Sequence, residues 1–183
     1  MPRLRSSLLA PLLLTTLACP ATPAPDQGDV DQKPKPAQPE PARSDAPEFI
    51  LAAETGDVVE LVLAELERAR SDDRQLLVYV GASWCEPCQY FHAAIEDGTL
   101  DDSLAGVRLL EFDLDRDRDR LLAAGYSSRM IPLFVVPRPD GRAGPRRMEG
   151  GVKGPAAVDN LRERLLALLR AAKADEAGLS SGG

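Results

Sequence analysis

The chain has 183 residues, of which 44% are hydrophobic, 28% are charged and only three are cysteine; its net charge is -7 and its pI near 4.8. That length suits one compact domain with extensions. The acidic balance excludes the basic surface that phosphate-backbone binding requires, so no nucleic-acid partner is expected, and three cysteines are too few for a disulfide-stapled mini-protein.

In chain order, Arg3 and Arg5 precede an apolar stretch from Leu8 to Leu17, followed by Ala18 and Cys19. The stretch is too short to span a bilayer comfortably. A basic start, a short apolar core and a small residue read as a secretory signal over residues 1–18. With Cys19 next, the segment resembles a bacterial lipoprotein signal, although Thr16 and Leu17 stand where that pattern has Leu and a small residue. The resemblance implies a lipid anchor on Cys19 and a place on the periplasmic side of a bacterial membrane. Simple cleavage would instead leave a periplasmic or secreted protein. Residues 19–47, rich in Pro, Ala, Gln and charge, cannot bury enough apolar surface to fold alone. They read as an extended tether with a reach of about 3.1 Å per residue.

The folded domain is expected over 48–173. Asp57 to Arg70 carries Val58, Leu61, Val62 and Leu66 at helical spacing, capped by Thr55 or Asp57. Gln75 to Val80 is a short apolar run suited to a buried central strand. Trp84-Cys85-Glu86-Pro87-Cys88 follows and opens a helix to about Glu96. Val107 to Leu114 predicts a strand and Asp115 to Ala124 a charged helix ending at Gly125. The alternating run Asp115 to Arg120 reads as a solvated, self-paired face. Leu133 to Val136 and Pro145 to Glu149 predict two more strands around an Asp140-Gly141 turn. Pro155 to Ala172 predicts an amphipathic helix, with a frayed tail over 174–183. Strands alternating with helices imply an α/β fold, a mixed sheet of four to five strands flanked by helices.

Cys85 and Cys88 are the chemical centre. Disulfide exchange needs a thiolate attacker and a second thiol close enough to resolve the mixed disulfide. Two intervening residues on an opening helical turn supply that closeness, and free N–H groups in the first turn favour negative charge on the exposed thiol. Pro87 suits this turn because its missing N–H is not needed there. Cys85 is therefore the expected nucleophile and Cys88 the resolving thiol. The rival reading of Cys-x-x-Cys is half a zinc site, but no second cysteine pair completes four ligands, so no metal is expected; with the cysteines themselves as the redox centre, no diffusible cofactor is needed.

From Trp84 to Cys88 after an apolar strand, and with Ile131-Pro132 before another, residues 50 to 172 resemble the thioredoxin superfamily. The resemblance implies a thioredoxin-like fold, a cis Pro132 against the disulfide, and Ile131 offering its backbone to bound substrate. Trp84 would shield the sulfurs and contact partners. The look is nearest to periplasmic reductase domains of the DsbD C-terminal type. That implies a monomer taking electrons from a membrane thiol donor and passing them to periplasmic protein disulfides, apocytochrome thiols among them. Oxidase or isomerase activity, a copper carrier using Cys85, Cys88 and His92, and a non-catalytic adaptor remain alternatives.

The chain also departs from thioredoxin. Glu86 stands beside Cys85, where a carboxylate opposes thiolate formation and biases docking. Tyr79 stands where thioredoxin has a buried Asp, and Glu111 falls where it has a buried Lys. Glu111 either assists deprotonation of Cys88 or is a solvated strand-end glutamate. His92, four residues after Cys88, shares its helical face; it tunes the thiol, completes a metal site, or is a surface residue.

Overall fold

A computed structural model describes residues 45–180. The signal segment, Cys19 and the tether up to Ser44 lie outside the described residues. The elements are β1 (Glu48–Leu51), α1 (Val58–Ser71), β2 (Gln75–Gly81), α2 (Glu86–Glu96), β3 (Val107–Asp113), α3 (Leu114–Ala123), β4 (Leu133–Pro137), β5 (Ala143–Glu149) and α4 (Ala157–Ser180). They build a five-stranded sheet in the order β1-β3-β2-β4-β5. β3 pairs in parallel with β1 and β2, whereas β4 pairs antiparallel with β2 and with β5. This is the expected α/β, thioredoxin-like architecture.

β2 sits centrally and is buried on both faces, as its unbroken apolar run requires. Its alternate residues feed two cores. Leu76, Val78 and Val80 pack with Val58 and Val62 of α1, Phe112 of β3 and Leu121 of α3. Leu77 and Tyr79 pack with Phe91 of α2 and with Leu161 and Leu165 of α4. Asp57 caps α1 by accepting a hydrogen bond from the Glu60 N–H at 3.1 Å, which settles the choice between Thr55 and Asp57.

The structure alters three sequence expectations. β1 adds an edge strand, and among the described residues Asp45 is already tied to the domain, its carbonyl accepting from the Gly106 N–H; residues 45–47 thus pack with the domain, where the sequence reading placed them in the tether. The last helix does not fray at Ala174 but runs to Ser180. Ala174 and Ala177 favour helix, and Asp175 forms a two-pronged ion pair with Arg146 of β5, at 2.7 and 2.9 Å. The Asp115 to Arg120 run is self-paired but not simply solvated. The Asp117 side chain is fully buried, accepts from the Asp113 N–H, and holds the guanidinium groups of both Arg116 and Arg120 at 2.8 Å. Burial works to raise its pKa, but the two guanidinium groups outweigh this and hold the carboxyl below its ordinary value.

Candidate active site

β2 delivers the chain to the site. It ends at Gly81, and Cys85 becomes the N-cap of α2 with extended backbone. The Cys85 N–H donates to the Ala82 carbonyl at 3.1 Å, closing the loop between strand and helix. Glu86 and Pro87 form the start of the helix, and Cys88 lies in its first turn. Cys85 and Cys88 are joined by a disulfide across a Cα separation of 5.2 Å. The Cys88 N–H points at Cys85 Sγ, 3.3 Å away. A thiolate at Cys85 thus meets a backbone donor and the positive end of the helix together.

Both cysteines of the disulfide are buried. Cys85 is 4% exposed and Cys88 1%. They pack with Ala82, and Leu114 and Ile131 close over them. The Ile131–Pro132 peptide bond is cis. Its loop is tied to β5 by the Gly150 N–H, which donates to the Pro132 carbonyl at 2.8 Å. Trp84 stands 62% exposed beside the pair, and its indole N–H donates to Asp115 at the start of α3 at 2.7 Å. Met130 and Val152 are also exposed.

Glu86 has a backbone partner besides its place next to Cys85. Its Oε1 accepts from the Gly154 N–H at 2.9 Å, so it ties the N-terminus of α2 to the turn before α4.

Glu111 is not a solvated strand-end residue. It sits in register with Tyr79 across the β2–β3 ladder, and its side chain is only 14% exposed. One carboxylate oxygen lies 2.9 Å from Nε2 of His92. The other is buried without a hydrogen-bond partner among the described residues. His92 is 36% exposed, edge-on to Phe49 at 4.9 Å between ring centres and tilted against Tyr79 at 5.7 Å. The hydrogen bond to Glu111 raises the His92 pKa above its ordinary value, against the opposing effect of burial. A groove of about 550 Å³ beside α2 is lined by Cys88, His92 and Glu111 together, with Leu51, Glu96 and Asp113 at its sides.

Tyr79 fills the space beneath. Its ring stacks on Phe134 at 4.9 Å and runs along the strand over Gly81. Burial, with the Glu111 charge added, pushes the phenol far above its usual range. It stays protonated, so it cannot serve as a carboxylate would. Among the described residues, no three His, Cys, Asp or Glu side chains are grouped to hold a metal ion, and His92 is committed to Glu111.

The structure therefore brings together Trp84, Cys85, Glu86, Pro87, Cys88, Ile131 and Pro132 around the disulfide, with Glu111 lining the same groove as Cys88. Sequence reasoning missed the His92–Glu111 pair, Asp115 as the acceptor for Trp84, and the demand that Tyr79 makes on Gly81. The strand alternation held a usable signal, since Tyr79 and Glu111 fall on the same face of adjacent strands.

Fold and site together define a thioredoxin-like α/β protein carrying a Cys-x-x-Cys disulfide at a helix N-terminus. No family model and no curated protein sequence matches the chain. Among solved structures it is similar to a point mutant of a thioredoxin from Halobacterium salinarum, at 21% identity and TM-score 0.42, covering 70% of this chain and 91% of that one. It is also similar to a poplar thioredoxin h, at 21% identity and TM-score 0.41, covering 67% and 96%. A thioredoxin from Trichomonas vaginalis aligns at 21% identity and TM-score 0.39, over 56% and 85%.

Proposed function

We propose that this protein is an exported thiol–disulfide oxidoreductase that reduces protein disulfides through the Cys85/Cys88 dithiol. The observation that carries this reading is Cys85 at the N-cap of α2, bonded to the more deeply buried Cys88 and packed under the loop of the cis Ile131–Pro132 bond. In the reduced protein, the Cys85 thiolate attacks one sulfur of a client disulfide and expels the other as a thiolate. Cys88 then loses its proton to Glu111 and attacks Cys85 Sγ. The second client sulfur leaves and is protonated by water. Two electrons pass to the client, and the protein is left as the disulfide. Trp84 and Ile131 flank the sulfurs and receive the client chain.

The reading extends to a lipid anchor on Cys19, a periplasmic location, a membrane thiol donor that re-reduces the pair, and periplasmic client proteins. The support for these is the sequence of the first 47 residues and the likeness to DsbD-type domains.

The test is reduction of a model protein disulfide by the full chain. Cys88→Ser is expected to trap a mixed disulfide on Cys85, and Cys85→Ser to be inert. Failure of both the wild type and Cys88→Ser to form any mixed disulfide removes the reading. Direction follows from the reduction potential. A value near about -270 mV supports reduction, and one near about -120 mV oxidation. Membrane fractionation of Cys19→Ser tests the anchor; retention equal to wild type counts against it.

A further inference from the structure

Forming the disulfide releases the protons of both thiols. Both cysteines are buried, Cys88 the more deeply, and of the two it is Cys88 that lines the groove beside α2. The groove beside α2 holds three groups suited to the task. Cys88 and His92 are four residues apart on one face of α2. Glu111 faces them from β3, with one oxygen on His92 Nε2 at 2.9 Å and the other buried and unoccupied by any hydrogen-bond donor among the described residues. Exposure rises along the series, from 1% at Cys88 through 14% at Glu111 to 36% at His92.

We infer that Cys88, Glu111 and His92 form a proton relay, in which His92 carries to solvent the proton that Glu111 takes from Cys88. This rests on Cys88 being the resolving thiol. During resolution, Cys88 S–H gives its proton to Glu111, and the new thiolate displaces the client sulfur from Cys85. Neutralised Glu111 no longer holds His92 as an imidazolium, so His92 first gives a proton to water and then, as the Nδ1–H imidazole, takes the Glu111 proton on Nε2, which restores the ion pair. Reduction of the pair by a dithiol donor runs the same transfers backwards. The other ionisable groups facing His92 are Glu96 one turn further along α2, Asp113 beyond Glu111 on β3, and Tyr79 on β2. β1 contributes Phe49 and Leu51, which do not titrate. Tyr79 stays a phenol and takes no proton. Glu96 and Asp113 keep the surroundings acidic, so an imidazole there readily holds a proton at neutral pH. His92 is a positioning and relay residue here; it does not touch the reacting sulfur of the client.

The experiment is single-turnover kinetics with the full chain, separating formation of the mixed disulfide from its resolution, across pH 5.5 to 9 (roughly, to span the histidine range). His92→Ala is expected to leave the formation step unchanged, to slow resolution about tenfold or more at neutral pH, and to regain rate when imidazole is added to the buffer. His92→Gln keeps a hydrogen bond to Glu111 without carrying a proton, and is expected to be equally slow and to lose the inflection of the resolution rate near the histidine midpoint. It carries the test should the alanine variant fail to fold. Resolution at the wild-type rate in both variants overturns the relay, as does slowing without imidazole rescue and with the wild-type inflection intact. Absence of any mixed disulfide in the wild type is a different failure, because it removes the exchange reading itself.

Discussion

Gly81→Ala is expected to destabilise the domain through a single steric collision. A Cβ at this position would lie 2.4 Å from the Tyr79 hydroxyl oxygen and 2.8 Å from the ring carbon that bears it. The backbone of Gly81 is not in the left-handed region, so the cost is steric alone. Tyr79 cannot give way cheaply. It is fully buried, with ring centres of Phe49 at 5.8 Å, Phe91 at 5.3 Å and Phe134 at 4.9 Å around it. Overpacking of this kind costs about 1–3 kcal/mol, and the rigid surroundings place this case at the upper end, about 2–3 kcal/mol. Tyr79→Phe removes the hydroxyl, which is buried without a hydrogen-bond partner among the described residues. That change alone is expected to be neutral or stabilising by up to about 1 kcal/mol. Combined with Gly81→Ala it removes the nearest contact and leaves the ring carbon, so the pair should show a favourable coupling of about 1 kcal/mol. Urea unfolding of the four proteins in the oxidised state, with linear extrapolation, measures this. A loss below about 0.5 kcal/mol in Gly81→Ala, or no relief from Tyr79→Phe, refutes the reasoning.

Asp117→Asn should cost about 2–4 kcal/mol at pH 7, because two guanidinium groups lose the charge they share. The depressed carboxyl of Asp117 contributes stability above about pH 3.9 and loses it as pH falls through its lower folded value; equilibrium unfolding at descending pH should therefore show the deficit of Asp117→Asn shrinking. His92 has the opposite sign. Its raised pKa gives stability that is fully present below about pH 6.5 and lost as pH rises through the folded value. As His92 is the chain's single histidine, its NMR titration is one resonance, and Glu111→Gln should move that midpoint downward; an unmoved midpoint contradicts the pair. Trp84→Phe, which removes the bond to the exposed Asp115 carboxylate, should cost about 1 kcal/mol or less and raise KM for a protein disulfide several-fold with little change in kcat. Leu161→Ala empties a fully buried position between α4 and the sheet and should cost about 2–5 kcal/mol in the same unfolding assay.

The sequence carried most of the frame because the frame rests on local periodicity. The apolar run Gln75 to Val80, the 3.6-residue spacing from Val58 to Leu66, and the leucines from Leu161 to Leu169 each name an element type with little help from the rest of the chain. β1 escaped because four residues are too few to show alternation, and because its place depends on β3, far away in sequence. Part of what holds it is Arg108, which joins Glu48 of β1 to Glu65 and Asp72 around α1. The candidate site divided in the same way. Cys85, Cys88 and Pro132 are marked by residue type and order. The His92–Glu111 pair joins a helix to a strand nineteen positions on and needs the β2–β3 register to be seen. Asp117 looked like one member of a regular charge ladder. Its burial follows from the first turn of α3 bending it back under Asp113, which composition does not encode.

The strands β1, β2 and β3 all run the same way, and the disulfide lies just beyond the end of β2. Asp45, where the described chain enters the domain, is bonded beside Gly106 at the beginning of β3. A strand of seven residues spans roughly 23 Å, so entry and disulfide occupy opposite poles of the sheet. An attachment made at the N-terminal pole of this domain would therefore leave the sulfurs on the far side, open to a partner arriving from the other direction.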